Sequence, residues 1–172
     1  PVFAGAEREL PEAPFYVVCS SESDMSYSYP AQKRVFAKAK AGAAVLVVYA
    51  AASRFTALRA QTGLEVDYCC LAPTTRAFAL AAQPERTMTV TDGMTCSLIA
   101  HECEVLAETS AGQPMFTRFA YGKGTVYLVN GPVDRQTVAR TDTVQGEKVM
   151  PYYLLFREAA KGLEAGRKGV KG

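Results

Sequence analysis

"YGKGTVYLVNGP", residues 121–132, decides how the second half of this chain folds. Two glycines bracket a lysine, as in a loop that cradles phosphate, and a β-prone run follows. A phosphate loop leads from a strand into a helix, whose first N–H groups meet the anion. Here "TVYLVN" continues as a strand, and before the glycines Thr117, Phe119 and Tyr121 alternate as one face of another. The stretch therefore predicts a hairpin. Gly122 and Gly124 are expected at positive φ, with Lys123 at the exposed tip.

Upstream, the pattern changes to helices and apolar strands. "PFYVVCSS" (14–21) is a short apolar run that ends in small polar residues, a buried strand feeding a loop. "AQKRVFAKAKAG" (31–42) sets Val35, Phe36 and Ala39 against lysines, an amphipathic helix stopped by Gly42. "AAVLVVYA" is continuously apolar, the mark of a central parallel strand covered on both faces. "SRFTALRAQTG" (53–63) opens on a serine N-cap, carries Phe55, Ala57 and Leu58, and ends at Gly63. "LEVDYCC" then completes strand, helix, strand, helix, strand, the βαβ rhythm of an α/β sheet. After Pro73, short β-like pieces separated by Gly, Pro or charge predict added antiparallel strands. "MPYYLLFREAAKGL" (150–163) predicts a closing helix with Leu154, Leu155 and Ala159 buried.

Composition excludes several function classes. The 172 residues fit one domain, expected over 1–163, with 164–172 a flexible basic tail. Nineteen basic residues face 17 acidic ones, a balance that gives nucleic acid no electrostatic footing. No apolar run approaches the ~20 residues of a membrane span. The chain begins at Pro1 without the plan of a signal peptide, and is expected to be a piece of something longer. Its five cysteines are expected as buried free thiols, which lean toward a cytoplasmic setting.

The candidate chemistry is thin. His101 is the single histidine, and no nucleophile elbow or His-x-Glu accompanies it, so no catalytic residue is expected. His101, Cys103 and Cys96 make a poor metal set, with no Cys-x-x-Cys and no second histidine; no metal and no cofactor are expected. Ligands of open α/β sheets sit beyond the carboxyl ends of the strands. That rule selects Ser20, Ser21 and Glu22 after the first strand, Tyr49 after the second, and Asn130, Asp134 and Arg135 after the last. Solvated loop residues are the bland alternative for all seven.

One ordering is more specific than any single motif. "FYVVCSS…KRVFAKAKAGAAVLVVYAAASRFTALRAQTGLEVDYC" resembles the glutamine-amidotransferase-like domain that follows the catalytic barrel in multidomain glycoside hydrolases, including the trimerisation domain of some β-galactosidases. "GQPMFTRFAYGKGTVYLVNGPVD" is similar to that family's late hairpin, and "PYYLLFREAAKGL" to its terminal helix. The resemblance covers about residues 14–163. It implies a flavodoxin-like, class I amidotransferase-like, mainly parallel sheet flanked by helices, with hairpin strands added in the second half. It also implies a non-catalytic accessory domain. Its partners would be the catalytic barrel of the same parent chain, sister subunits and possible carbohydrate, the last at the rim of the cleft. Tyr27, Tyr29, Tyr152 and Tyr153 are the aromatics expected on a docking patch. Two rivals stand beside this reading: a thiol enzyme using Cys19, and a stand-alone small-molecule or carbohydrate binding module.

Overall fold

The structure is a computed structural model that describes residues 9–19, 29–48, 58–70, 72–92, 95–133 and 150–168. Its centre is the strand Ala44–Val48 (β2), whose five residues are all buried. A strand apolar on both faces must be covered on both, and each buried Val or Leu side chain contributes roughly 1.5–3 kcal/mol. Strand Phe15–Cys19 (β1) pairs with it in parallel, joined through helix Tyr29–Ala41 (α1). Pro30 stands in the first turn of α1, where a missing N–H costs nothing. Val35, Phe36 and Ala39 turn inward onto Val45 and Val47.

The next elements overturn the mainly parallel sheet. Helix Leu58–Thr62 (α2) leads into Leu64–Cys70 (β3), and β3 does not join β1 and β2. It pairs antiparallel with Thr95–Ala100 (β6) in a separate two-stranded ribbon. The physical reason is its composition. Leu64 and Val66 give β3 one apolar face, but Glu65 and Asp67 load the other, and a slot between two helical layers needs both faces apolar. The strand Gly124–Val129 (β9) meets that demand and pairs parallel with β2. Val126 and Leu128 face one way, Tyr127 and Val129 the other, all buried.

From β9 the sheet continues antiparallel through Pro114–Tyr121 (β8), Glu104–Thr109 (β7), Thr74–Leu80 (β4) and Met88–Asp92 (β5). The order β1-β2-β9-β8-β7-β4-β5 has two parallel pairings out of six. The fold is a strand-rich, curled mixed sheet with few helices, not a flavodoxin-like parallel sheet flanked by helices.

Two cores result. On one face α1, α2 and the β3–β6 ribbon cover Val45, Val47, Val126 and Leu128. On the other, helix Tyr153–Lys168 (α3) lays Leu154, Leu155 and Ala159 over Leu46, Val48, Tyr127 and Val129. Helix α3 runs on past residue 163 into the stretch read as a tail. The expected helix start at Ser53, with Phe55 and Ala57, lies outside the described residues.

The hairpin is present, with one correction. Gly122 has φ +62°, but Gly124 is not at positive φ. A Cβ on Gly124 would stand 2.2 Å from the Ala43 carbonyl oxygen and 2.3 Å from that of Ala39. Its hydrogen is needed for close approach, not for turn geometry. The Lys123 N–H donates to the Lys40 carbonyl at 3.1 Å, so the turn caps the C-terminus of α1. No phosphate loop is formed.

The cysteines also depart from expectation. Cys69 and Cys96 stand opposite each other in the ribbon, Cα atoms 4.3 Å apart, and are joined by a disulfide. Cys19 and Cys70 are exposed rather than buried, and Cys103 is half-buried. The thiol argument for a reducing compartment therefore falls.

Candidate functional site

Because β1, β2 and β9 are parallel and in register, Cys19, Val48 and Val129 end in one row at one edge of the sheet. That edge is where an open α/β sheet would offer a crevice. Of the seven residues selected from sequence, Ser20, Ser21, Glu22, Tyr49, Asp134 and Arg135 lie outside the described residues. Asn130 is described, and it is 3% exposed.

Asn130 is a bracket. Its N–H donates to the Met115 carbonyl at 2.8 Å. Its side-chain amide donates to the Cys96 carbonyl at 3.0 Å and the Pro114 carbonyl at 3.3 Å. Its own carbonyl accepts from Arg76 Nη2 at 2.7 Å. One residue thus ties the exit of β9 to β8, β6 and β4. A buried amide with its donors matched to carbonyls holds the backbone in place.

Arg76 is the residue that sequence reading missed. It is 7% exposed on β4, in phase with buried Phe78 and Leu80. The signal was in "TTRAFAL": an arginine at the inward phase of an alternating strand is a buried cation. It adds a permanent positive charge beside Asn130. Gly131 follows, and a Cβ there would come 3.0 Å from Val90 Cγ2, which fixes how closely the chain passes β5.

Cys19 and His101 do not form a catalytic pair. Cys19 shares a row and a face with Val48, on the α3 side of the sheet. His101 follows β6 in the ribbon on the opposite face, and its N–H donates to the Gly63 carbonyl at 3.0 Å. A Cβ on Gly63 would meet Phe119, whose register partner is Val126, three rows from Val129. The two groups occupy different ends and different faces of the sheet.

His101 instead belongs to a surface network. Its Nε2 lies 2.8 Å from Glu65 Oε2. Arg59 reaches Glu65 at 3.5 Å and Glu102 at 3.3 Å. Exposed pairs of this kind contribute little, roughly 0–1 kcal/mol each. Of the other sulfurs considered with His101, Cys96 is bonded to Cys69, and burial pushes the Cys103 thiol up from its usual value.

The expected aromatic patch divides. Tyr27 and the Tyr29 side chain lie outside the described residues. Tyr152 is buried, and its hydroxyl donates to the Thr89 carbonyl. Tyr153 is 56% exposed, accepts from Arg86 at 2.8 Å and has the Arg157 guanidinium 6.0 Å from its ring centroid. Tyr68 and Ile99 are exposed on the ribbon.

The chain matches no protein-family model and no curated protein. Solved structures do resemble it. An exo-β-1,4-mannosidase from Opitutaceae bacterium strain TAV5 superposes with TM-score 0.65 at 16% identity, over 93% of this chain and 26% of that one. The GH42 β-galactosidase Gan42B of G. stearothermophilus gives TM-score 0.55 at 15% identity, over 84% of this chain and 24% of that one. A cytoplasmic protein of Salmonella typhimurium gives TM-score 0.56 at 11% identity, over 93% of this chain and 77% of that one. The likeness is one of fold, and this chain spans about a quarter of the length of the glycosidase chains it resembles.

Proposed function

We propose that the chain is a non-catalytic accessory domain of a carbohydrate-active enzyme, of the kind that supports the catalytic barrel, subunit contacts or the rim of the substrate cleft. The observation that carries this reading is the asymmetry of coverage. Nearly all of this chain corresponds to about a quarter of a glycosidase chain. The separation of Cys19 from His101 supports the non-catalytic half of the reading. Residues 1–163 form the unit in this account. The segments carrying Ser20, Ser21, Glu22, Tyr49, Asp134 and Arg135 would supply any contact with carbohydrate, while Asn130 holds the backbone at the exit of β9.

The test compares a parent enzyme with and without these residues. Aryl β-glycoside hydrolysis should survive their removal at the barrel, while assembly state by light scattering, or thermal stability, should fall. The isolated chain should hydrolyse neither aryl β-mannosides nor aryl β-galactosides. Turnover by the isolated chain that disappears in Cys19→Ala would sink the proposal in favour of a thiol enzyme.

A second reading keeps one specific support. The Salmonella protein is matched over 77% of its own length, so the fold also makes up most of a shorter chain. Under that reading the domain acts alone as a binding module. Full assembly and stability of a parent enzyme lacking these residues would favour it.

A further inference from the structure

We infer that the Cys69–Cys96 bond is a thiol-exchange site, with Cys69 as the sulfur that an external thiol attacks. The inference does not depend on the accessory-domain reading. The bond joins two strands that pair with each other and not with the seven-stranded sheet. Its two ends lie in different surroundings. Cys96 is 3% exposed and packs with Leu64, Leu98 and Leu128 in the second core, whereas Cys69 is exposed among the exposed residues 67–70.

Exchange proceeds by attack of a thiolate along the S–S axis on a sulfur it can reach. Burial of Cys96 leaves Cys69, the exposed residue of the pair, as the target. The incoming thiolate forms a new S–S bond to Cys69, and the old bond breaks with its electron pair on Cys96. The Cys96 thiolate then takes up the proton that the incoming thiol gave up, through water admitted as residues 67–70 lift away. One disulfide is lost and one gained, so this step needs no oxidant. A second thiol attacking the mixed disulfide releases Cys69 as a thiol and leaves as the oxidised dimer. Cys70 is exposed, but successive strand residues point to opposite faces, so its thiol is not aligned with the bond.

The two strands are also anchored unequally. The Cys96 carbonyl accepts from buried Asn130, which is itself held by Met115, Pro114 and Arg76. Residues 67–70 of β3 are all exposed. Opening the bond should therefore release the outer half of β3 while β6 stays in place.

The experiment treats the oxidised full chain, carrying Cys70→Ala to prevent migration of the label, with reduced glutathione. Acid-quenched peptides are then read by mass spectrometry, with hydrogen exchange measured in parallel. The glutathione adduct should sit on Cys69 in excess over Cys96 by on the order of tenfold. Exchange should speed up at 67–70 and at their ladder partners 96–97, and stay nearly unchanged at 130–133. Three results each overturn the inference: an adduct on Cys96 equal to or above that on Cys69, no adduct short of unfolding, or both cysteines already reduced in the untreated protein.

Discussion

Gly124 and Lys123 are neighbours with opposite burdens. A methyl group on Gly124 would collide with two backbone carbonyls that have no side-chain freedom to move away. Gly124→Ala should therefore cost about 1–3 kcal/mol or more by overpacking, measured as a shift in urea midpoint. Gly122→Ala should cost about 1–2 kcal/mol for its left-handed backbone, and the nearby Lys40 carbonyl adds to that. Lys123 is exposed, and Lys123→Ala should change stability by less than about 0.5 kcal/mol. Asn130 makes a sharper case. Asn130→Ala would strip the amide from two buried carbonyls, at about 1–3 kcal/mol for a polar group left unmatched. Asn130→Asp should be worse, since a carboxylate would then face the Cys96 and Pro114 carbonyls. Equal stabilities for the Ala and Asp variants would refute that ranking.

One of the contacts between helix α3 and strand β9 yields a sign reversal. Gly162 lies in α3, where alanine is ordinarily favoured over glycine by about 1 kcal/mol. Yet a Cβ there would come 2.6 Å from the Tyr127 hydroxyl and 3.6 Å from the carbon that bears it. Gly162→Ala should thus destabilise the native chain and stabilise the Tyr127→Phe variant. A double-mutant cycle by thermal unfolding reads the reversal directly. The same tyrosine governs the alkaline limb. Burial pushes the Tyr127 phenol up from its usual value, with Arg118 acting in the other direction. The folded state therefore holds the proton more tightly than the unfolded one. This contribution is complete below the unfolded value of about 10 and is lost as pH rises through the folded value. Stability from pH 9 upward should fall less steeply in Tyr127→Phe, and identical slopes would remove Tyr127 from the account.

At the scale of the molecule, the disulfide closes a loop across a sequence separation of 27 residues. Loop-closure entropy assigns such a link about 3–4 kcal/mol, so reduction should lower the unfolding free energy by that order, with calorimetry in the presence of a dithiol as the check. How far the fold was legible follows from what sequence encodes. Helix α1, strand β2 and the β8–β9 hairpin carry their own periodicity, and each is found where its pattern puts it. Partner choice is not local. "LEVDYCC" was legible as a strand and was placed in the parallel sheet, and nothing in it named β6 as its partner. The Cys69–Cys96 link was equally hidden, because only the register of β3 on β6 brings the two together. Asn130 was legible as a residue past a strand end, and its role as a buried bracket was not, since its carbonyl partners lie on β6 and β8.

Strand β9 is the single bridge between the β1–β2 pair and the antiparallel β8–β7–β4–β5 set. That placement bears on the order in which a growing polypeptide can reach its final form. During synthesis the first two parallel strands emerge early, yet their next neighbour is β9, the last of the described strands, and the helix that covers it follows later still. Contacts of such wide separation form slowly. A nascent chain halted before Gly124 would hold the β1–β2 pair and the β8–β7–β4–β5 set unjoined, beside the separate β3–β6 ribbon, with an apolar face of β2 open to solvent or to a chaperone. Protease resistance should therefore rise in one late step, once β9 and α3 have both left the ribosome.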